Sequence, residues 1–235
     1  MEFQQKAKGE KGMNETIQNM ANLLPYMVEP TITAIKLFFL TLLIGLPLGM
    51  VLALGRMSKL AIIRYPIQIY NLIMRGTPLI LQLYLIYYQI PKWIQMYHPD
   101  FRFDRFTAVV IGFSINYAAY FCEIYRGGIQ TIPKGQYEAA KMLGFTKGQT
   151  FFKIVLPQVV KQIIPPLGSE FMVLVKDTSL AHVIGVAELY LFSTNQMATR
   201  GSMMPVVMAG IFYLIMNWIV EKCFILLEKR LSYYQ

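Results

Sequence analysis

A guanidinium and a carboxylate set inside otherwise apolar stretches can together hold a zwitterion. Arg75 is the one charge in the run from about Tyr65 to Ile90, and Asp177 lies in a run from about Ile163 that also carries Glu170 and Lys176. An ionisable side chain within hydrocarbon costs on the order of a few kcal/mol, so its presence implies a partner or a water-filled path. A free amino acid offers a carboxylate and an ammonium. The expectation is that Arg75 takes the α-carboxylate and Asp177 the α-ammonium, with Thr178, Ser179 and Thr77 as secondary donors. The competing arrangement is an Arg–carboxylate pair that locks two helices without meeting a ligand. Glu170, seven residues before Asp177, can share its helix face, and either favours a cationic side chain or hydrogen-bonds to a neighbouring helix. Glu123 and Arg126, three apart, are placed to pair with each other as a structural latch or inner gate. Cys122 and Cys223 lie in apolar runs and His98 and His182 stand alone, so neither a disulfide framework nor a metal site is expected.

The elements that must carry these groups follow from composition. Of 235 residues, 55% are hydrophobic and 15% charged, against about a quarter charged in a soluble domain. Five stretches approach the roughly 20 apolar residues needed to cross a core of about 30 Å: about 31–54, 65–90, 106–122, 163–180 and 203–220. Gly45, Pro47 and Gly49 are expected to loosen the inner half of the first. Arg75 falls about ten residues, or roughly 15 Å, into the second, near the midplane. Gly76 to Pro78 would break the helix there, and irregular backbone is tolerated where it lines a cavity. Asp177 lies about fourteen residues into the fourth span, toward the outside. Lys36 snorkels outward, Glu29 sits at the outer interface, and Tyr84, Tyr87, Tyr88, Trp93 and Tyr97 form an interfacial belt, or shape a ligand vestibule or a binding-protein surface.

Basic residues orient the chain. Arg56, Lys59 and Arg64 follow the first span; Arg126, Lys134, Lys141, Lys147, Lys153 and Lys161 follow the third; Lys222, Lys229 and Arg230 follow the fifth. With five crossings these share one side, expected to be the cytoplasm, so the net charge of +9 reads as retained loops and not as a nucleic-acid surface. The expected organisation is an extracytoplasmic segment 1–28, a transmembrane domain 29–228 and a cytoplasmic tail 229–235. The first dozen residues lack the apolar core of a cleavable signal, and Met13 is an alternative start to Met1.

Between the third and fourth spans, residues 132–157 read as helix, turn, helix. Pro133 favours a helix start, Gly144 suits a left-handed end, Thr146 can cap the next helix, and Pro157 is expected to end it. Glu138 favours the first helix's dipole, and Ala139 and Ala140 would let a partner approach closely. An amphipathic interfacial hairpin accounts for the spacing equally well. Gly144-Phe-Thr-Lys-Gly148 has the wrong spacing for a phosphate-binding loop, and the sequence lacks Gly-x-Ser-x-Gly and His-Glu-x-x-His, so the chain is not expected to be an enzyme.

The same loop carries a resemblance. Glu138-Ala139-Ala140, then Gly144, Ile154, Leu156 and Pro157 resemble the "EAA" loop of bacterial ABC importer permeases, the coupling helix that sits in a cleft on a cytoplasmic ATPase. Arg75-Gly-Thr-Pro-Leu-Ile-Leu-Gln82, Glu123-Ile-Tyr-Arg-Gly-Gly-Ile-Gln130, Pro165-Pro-Leu-Gly-Ser-Glu-Phe171, Lys176-Asp-Thr-Ser-Leu180 and Ile184-Gly-Val-Ala-Glu188 narrow the likeness to permeases for polar amino acids such as histidine, glutamine, arginine, cystine and opines. Ser169 stands where relatives often have Asn.

The resemblance implies an all-α membrane fold of about five spans in the type I importer arrangement. Its implied partners are two ATPase subunits, a second permease that is identical or homologous, an extracytoplasmic binding protein and membrane lipid. No cofactor would be bound by this chain, with ATP and Mg on the partner ATPase, and transport would proceed by alternating access. The carboxylates lean toward neutral or cationic cargo over acidic cargo. The rival classes are an ATP-independent secondary carrier or channel, for which no inverted repeat is evident, and a lipid-handling enzyme, for which no nucleophile or metal constellation is present.

Overall fold

A computed structural model describes residues 2–231 of the chain, with side chains from Gln18 onward. Met1 and the last four residues of the expected tail lie outside the described residues. Helix α1, Glu2–Arg56, starts well before the expected span 31–54 and runs unbroken through Gly45, Pro47 and Gly49. At helical rise its length is about 80 Å, more than twice the hydrocarbon core. The glycines do not loosen it. They bring it against helix α5, Arg105–Gln130, because a Cβ on Gly49 would stand 2.7 Å from that of Phe121 and one on Gly45 3.3 Å from the Phe121 ring. With buried Ala53 they form a stripe of small residues at four-residue spacing, which lets two membrane helices close on each other.

Helix α5 is the axis of the molecule. Asp104 starts it by accepting from the Thr107 backbone N–H at 3.0 Å, which satisfies one of the first turn's free donors. Val109, Phe113, Tyr117, Phe121 and Cys122 along it are fully buried against α1, α2 and α8.

The second expected span is not one helix. Helix α2, Ala61–Gly76, and the run of α3, Leu79–Tyr84, a π-helical turn, Leu85–Gln89, and α4, Ile90–Gln95, meet at a 108° bend. Thr77 is extended, at φ −118° and ψ 146°, as a residue before proline prefers. The turn Leu85–Gln89 lies just ahead of Pro91. Its wider ladder takes up the hydrogen bond and the space that a proline ring denies to α-helix. The same device corrects the expectation for Pro157. Helix α6, Lys134–Met142, and α7, Lys147–Thr150, form the expected hairpin. From α7 the chain passes through a π-helical turn, Phe151–Val155, straight into α8, Leu156–Asp177. Pro157 sits inside the first turn of α8 and ends nothing.

Past Asp177 the helix tightens to a 3₁₀ stretch, Thr178–Ile184, closed by Gly185 at φ +78°. Helix α9, Leu189–Arg200, is capped by Glu188, which is fully buried. That carboxylate accepts from the Tyr190 and Leu191 backbones at 2.7 and 2.8 Å and from the Tyr213 hydroxyl at 2.8 Å. It thereby ties α9 to α10, Met204–Leu231. Among described residues, α1, α5 and α10 are long and apolar enough to cross a membrane, and the bent α2–α4 run makes a fourth. Helix α8, which bears Glu170, Lys176 and Asp177, is not among them.

Candidate functional site

The 108° bend frees backbone carbonyls, and polar side chains of α3 and α5 take them up. Gln82 Nε2 donates to Met74 O at 3.0 Å, Thr77 O at 3.2 Å and Thr77 Oγ1 at 2.8 Å. Asn116 Nδ2 donates to Met74 O at 2.9 Å and to Gln82 Oε1 at 3.0 Å. On the α2 side, the Tyr70 hydroxyl donates to Ile115 O. Unsatisfied backbone groups at membrane depth cost several kcal/mol each, on the order of a lost hydrogen bond or more. The network therefore holds the break open as a fixed shape.

A cavity of about 560 Å³ opens at that break, lined among others by Arg75, Thr77, Asn116, Tyr117, Tyr120, Glu170 and Asp177. Its volume lies within the roughly 300–1,000 Å³ of small-molecule sites. Helix α5 presents two tyrosines, three residues apart, to the two opposite charges. The Tyr117 hydroxyl donates to Asp177 Oδ2 at 2.8 Å, and the Arg75 guanidinium lies 5.4 Å from the centre of the Tyr120 ring, a cation–π contact. No ion pair joins Arg75 to Asp177 among the described residues. The arrangement that would have locked two helices is absent, and each charge is tethered to α5 with the cavity beside it. Glu170 lines the cavity without a hydrogen-bonding partner among the described residues.

Two of the expected secondary donors are elsewhere. Thr178 is buried, gives its proton to Val175 O at 2.7 Å, and lines an apolar crevice with Ala34, Phe38 and Met216 on the other side of α8. Ser179 donates to Lys176 O at 2.8 Å and is not among the cavity residues. The cause is the 3₁₀ tightening after Asp177, which turns successive residues by about 120° and brings both hydroxyls onto the carbonyl three residues back. Thr77 does line the cavity, but its proton goes to Ile73 O at 2.8 Å, so it can only accept from a ligand. Sequence reasoning did not single out Tyr117, Tyr120 or Asn116. Their signal was present as polar groups on one face of an otherwise apolar span.

A second polar cluster ties three helices. Glu123 forms an ion pair with Arg126 at 2.6 Å and also accepts from Arg126 Nε at 2.8 Å. Its other oxygen accepts from Asn71 Nδ2 of α2 at 2.8 Å and faces Arg56 Nε of α1 at 3.9 Å. Arg126 donates further to Gln130 at 2.5 Å. The pair read from the sequence is thus the centre of a larger knot that also includes Arg56 and Asn71.

The hairpin 132–157 exposes one face. Gly144 has φ +76°, and Phe145 N donates to Ala140 O at 3.0 Å, a helix end that favours glycine. Thr146 and Gln149 cap each other's backbone at 2.9 and 3.3 Å, a reciprocal pairing that fixes the start of α7. Glu138, Ala139, Met142, Leu143 and Phe152 are exposed, whereas Ala140 is buried with Val155. Ala140 is therefore turned inward, and its side chain is not part of the exposed face. Ile154 and Leu156 are half-buried and Pro157 is exposed.

Comparison with known proteins places this geometry. Residues 45–233 match the family described as binding-protein-dependent transport system inner membrane component. The L-cystine transport system permease protein TcyB of Bacillus subtilis (strain 168) is 38% identical over 206 residues, 85% of this chain and 84% of the relative. The arginine transport system permease protein ArtQ of the same organism is 33% identical, over 89% of this chain and 94% of its own. A crystal structure of an amino acid ABC transporter with histidines superposes with a TM-score of 0.81 at 34% identity, covering 91% of this chain and 97% of that one. The all-helical fold is that of the type I importer permeases.

Proposed function

The chain belongs to the inner-membrane components of binding-protein-dependent transport systems, and from that premise we propose that it is the membrane-spanning subunit of an ATP-driven importer for a polar amino acid. The observation that carries the substrate class is the cavity at the α2–α3 break, where a guanidinium and a carboxylate stand apart on separate tethers. Arg75 holds the α-carboxylate and Asp177 the α-ammonium, so that binding replaces the water around both charges with fixed, opposite partners.

ATP, with Mg, is hydrolysed on two copies of a separate cytoplasmic ATPase. The exposed face of the hairpin, with Glu138, Met142, Leu143 and Phe152, docks on it, and Gly144 and the Thr146–Gln149 caps keep that face rigid. An extracytoplasmic binding protein delivers the amino acid to a pair of permeases, this chain and a second copy or homologue. The site opens alternately to either side, and the Glu123 knot closes the inner end. Five crossings, with 163–180 as the fourth, put the N-terminus outside and the C-terminus in the cytoplasm, where the basic loops lie.

Proteoliposomes holding the chain, its co-purifying ATPase and its binding protein test this reading. Labelled polar amino acid should accumulate only with ATP on the ATPase side. Flux that ignores ATP would replace the importer with a carrier or channel.

A further inference from the structure

A second cavity, of about 650 Å³, lies where α1, the start of α5 and the loop after the 3₁₀ stretch meet, with Tyr26, Glu29, Thr33, Arg105 and Gly185 among its walls. Arg105 is exposed, and its guanidinium is propped by neutral groups. Nε donates to the Tyr87 hydroxyl at 3.3 Å and Nη1 to Gly185 O at 3.4 Å, which leaves the Nη2 hydrogens unspent. Gly185 admits it closely, since a Cβ there would stand 3.1 Å from Nη1. No carboxylate of the groove forms an ion pair with it among the described residues. Asp104 spends its carboxylate on the backbone N–H and hydroxyl of Thr107, and Glu29 is exposed on α1. A cation and an anion thus share one groove without meeting.

Depth and surroundings indicate what fits between them. Glu29 and Arg105 each stand just before a membrane span, at 31–54 and 106–122, so the groove lies at the level of the lipid headgroups. Below it the same face of α1 continues. Ile44 and Val51, eleven and eighteen residues after Thr33, fall within about 20° of it at the helical repeat, and they are 43% and 66% exposed. Lys36, seven residues after Glu29, is exposed on that residue's side of α1 and lifts its ammonium toward the groove as a snorkelling side chain does. Charges of both signs above and an apolar strip below match a phospholipid, head over chain.

We propose that this groove holds a phospholipid whose headgroup carries an ammonium, of the phosphatidylethanolamine class. Arg105, with Lys36 from below, takes the phosphate, Glu29 takes the ammonium, and an acyl chain lies along Ile44 and Val51. Phosphatidylglycerol would leave Glu29 without a cation, and phosphatidylcholine has no N–H to give it. The binding depends only on α1 and α5 as membrane spans. Its assignment to the outer leaflet rests on the proposed orientation of the chain.

The purified permease–ATPase complex, held in nanodiscs of equal phosphatidylethanolamine and phosphatidylglycerol with matched chains, is released into detergent, and the retained lipid is counted by native mass spectrometry. Lipid held elsewhere on the surface is common to wild type and variants and cancels in the comparison. Wild type should retain phosphatidylethanolamine over phosphatidylglycerol by at least about fivefold. Glu29→Gln should abolish that preference by losing phosphatidylethanolamine, Glu29→Asp should restore part of it, and Arg105→Gln should lower retention of both lipids by about tenfold. Equal retention of the two lipids by wild type, or a preference that persists in Glu29→Gln, would overturn the proposal. So would an Arg105→Gln complex that keeps its lipid but loses its binding protein or second permease, which would make the groove a protein contact. Glycerophosphoethanolamine, the headgroup without its chains, should not displace the lipid at equal concentration. Displacement would mark a site for soluble phosphoesters with no use for the strip on α1, and would overturn the proposal as well.

Discussion

At the scale of single residues, the site is a set of tethers. Tyr117 holds Asp177 through one hydrogen bond of 2.8 Å, of a kind worth about 0.5–1.5 kcal/mol, or roughly 1.5–3 to a charged group. Tyr117→Phe should therefore weaken amino acid affinity of the nanodisc complex by about three- to tenfold, without loss of folded protein. An unchanged affinity would mean that the tyrosine does not set the carboxylate's position. Glu123 makes a different kind of prediction. Its carboxylate is shared by Arg126, Asn71 and Arg56 across three helices, and removal of one member leaves the others unpaired. Glu123→Gln should lower stability by about 1–3 kcal/mol, seen as a drop in the thermal midpoint of the detergent-solubilised complex. The charges themselves stand out in the sequence because they interrupt apolar runs. The tyrosines that position them do not, since an aromatic in a membrane span is ordinary until a neighbour shows which way it faces.

At the scale of elements, the close approach of α1 to α5 depends on absent side chains. Gly49→Leu must displace the Phe121 backbone region, whereas Gly210→Ala on α10 meets nothing within 4 Å. Overpacking of this kind costs about 1–3 kcal/mol, so the first variant should lose monodisperse protein in gel filtration and the second should match wild type. In the hairpin, Gly144 at φ +76° is the position where a β-branched residue is strained. Gly144→Val should reduce the ATPase that co-purifies with the chain. The hairpin was readable in advance because Pro133, Gly144 and Thr146 act through local backbone chemistry. The uninterrupted passage through Pro157 and the displacement of Thr178 and Ser179 were not. Both depend on a change of helical pitch, a π-helical turn in one case and a 3₁₀ stretch in the other, and residue spacing gives rise along an axis but not the rotation that a new pitch introduces. For the same reason the sequence marked a break at Gly76 to Pro78 without disclosing that it turns the chain by 108°.

At the scale of the whole molecule, the fold is one buried helix, α5, packed between more exposed ones, with the polar work concentrated at its two tyrosines and its Glu123 end. Helix α10 exposes Ile211, Leu214, Ile215, Trp218 and Ile219, an apolar surface suited to lipid or a second permease. The central claim is that Arg75 and Asp177 hold the two ends of one amino acid. Its most direct test is competition for ATP-driven uptake by two truncated forms of the cargo, one without its α-carboxylate and one without its α-ammonium. Each should compete at least about tenfold less well than the intact amino acid. Arg75→Gln should weaken the intact cargo yet leave the form without a carboxylate unaffected, and Asp177→Asn should do the same for the form without an ammonium. Equal competition by all three, or losses in both variants that do not depend on which end is missing, would contradict it.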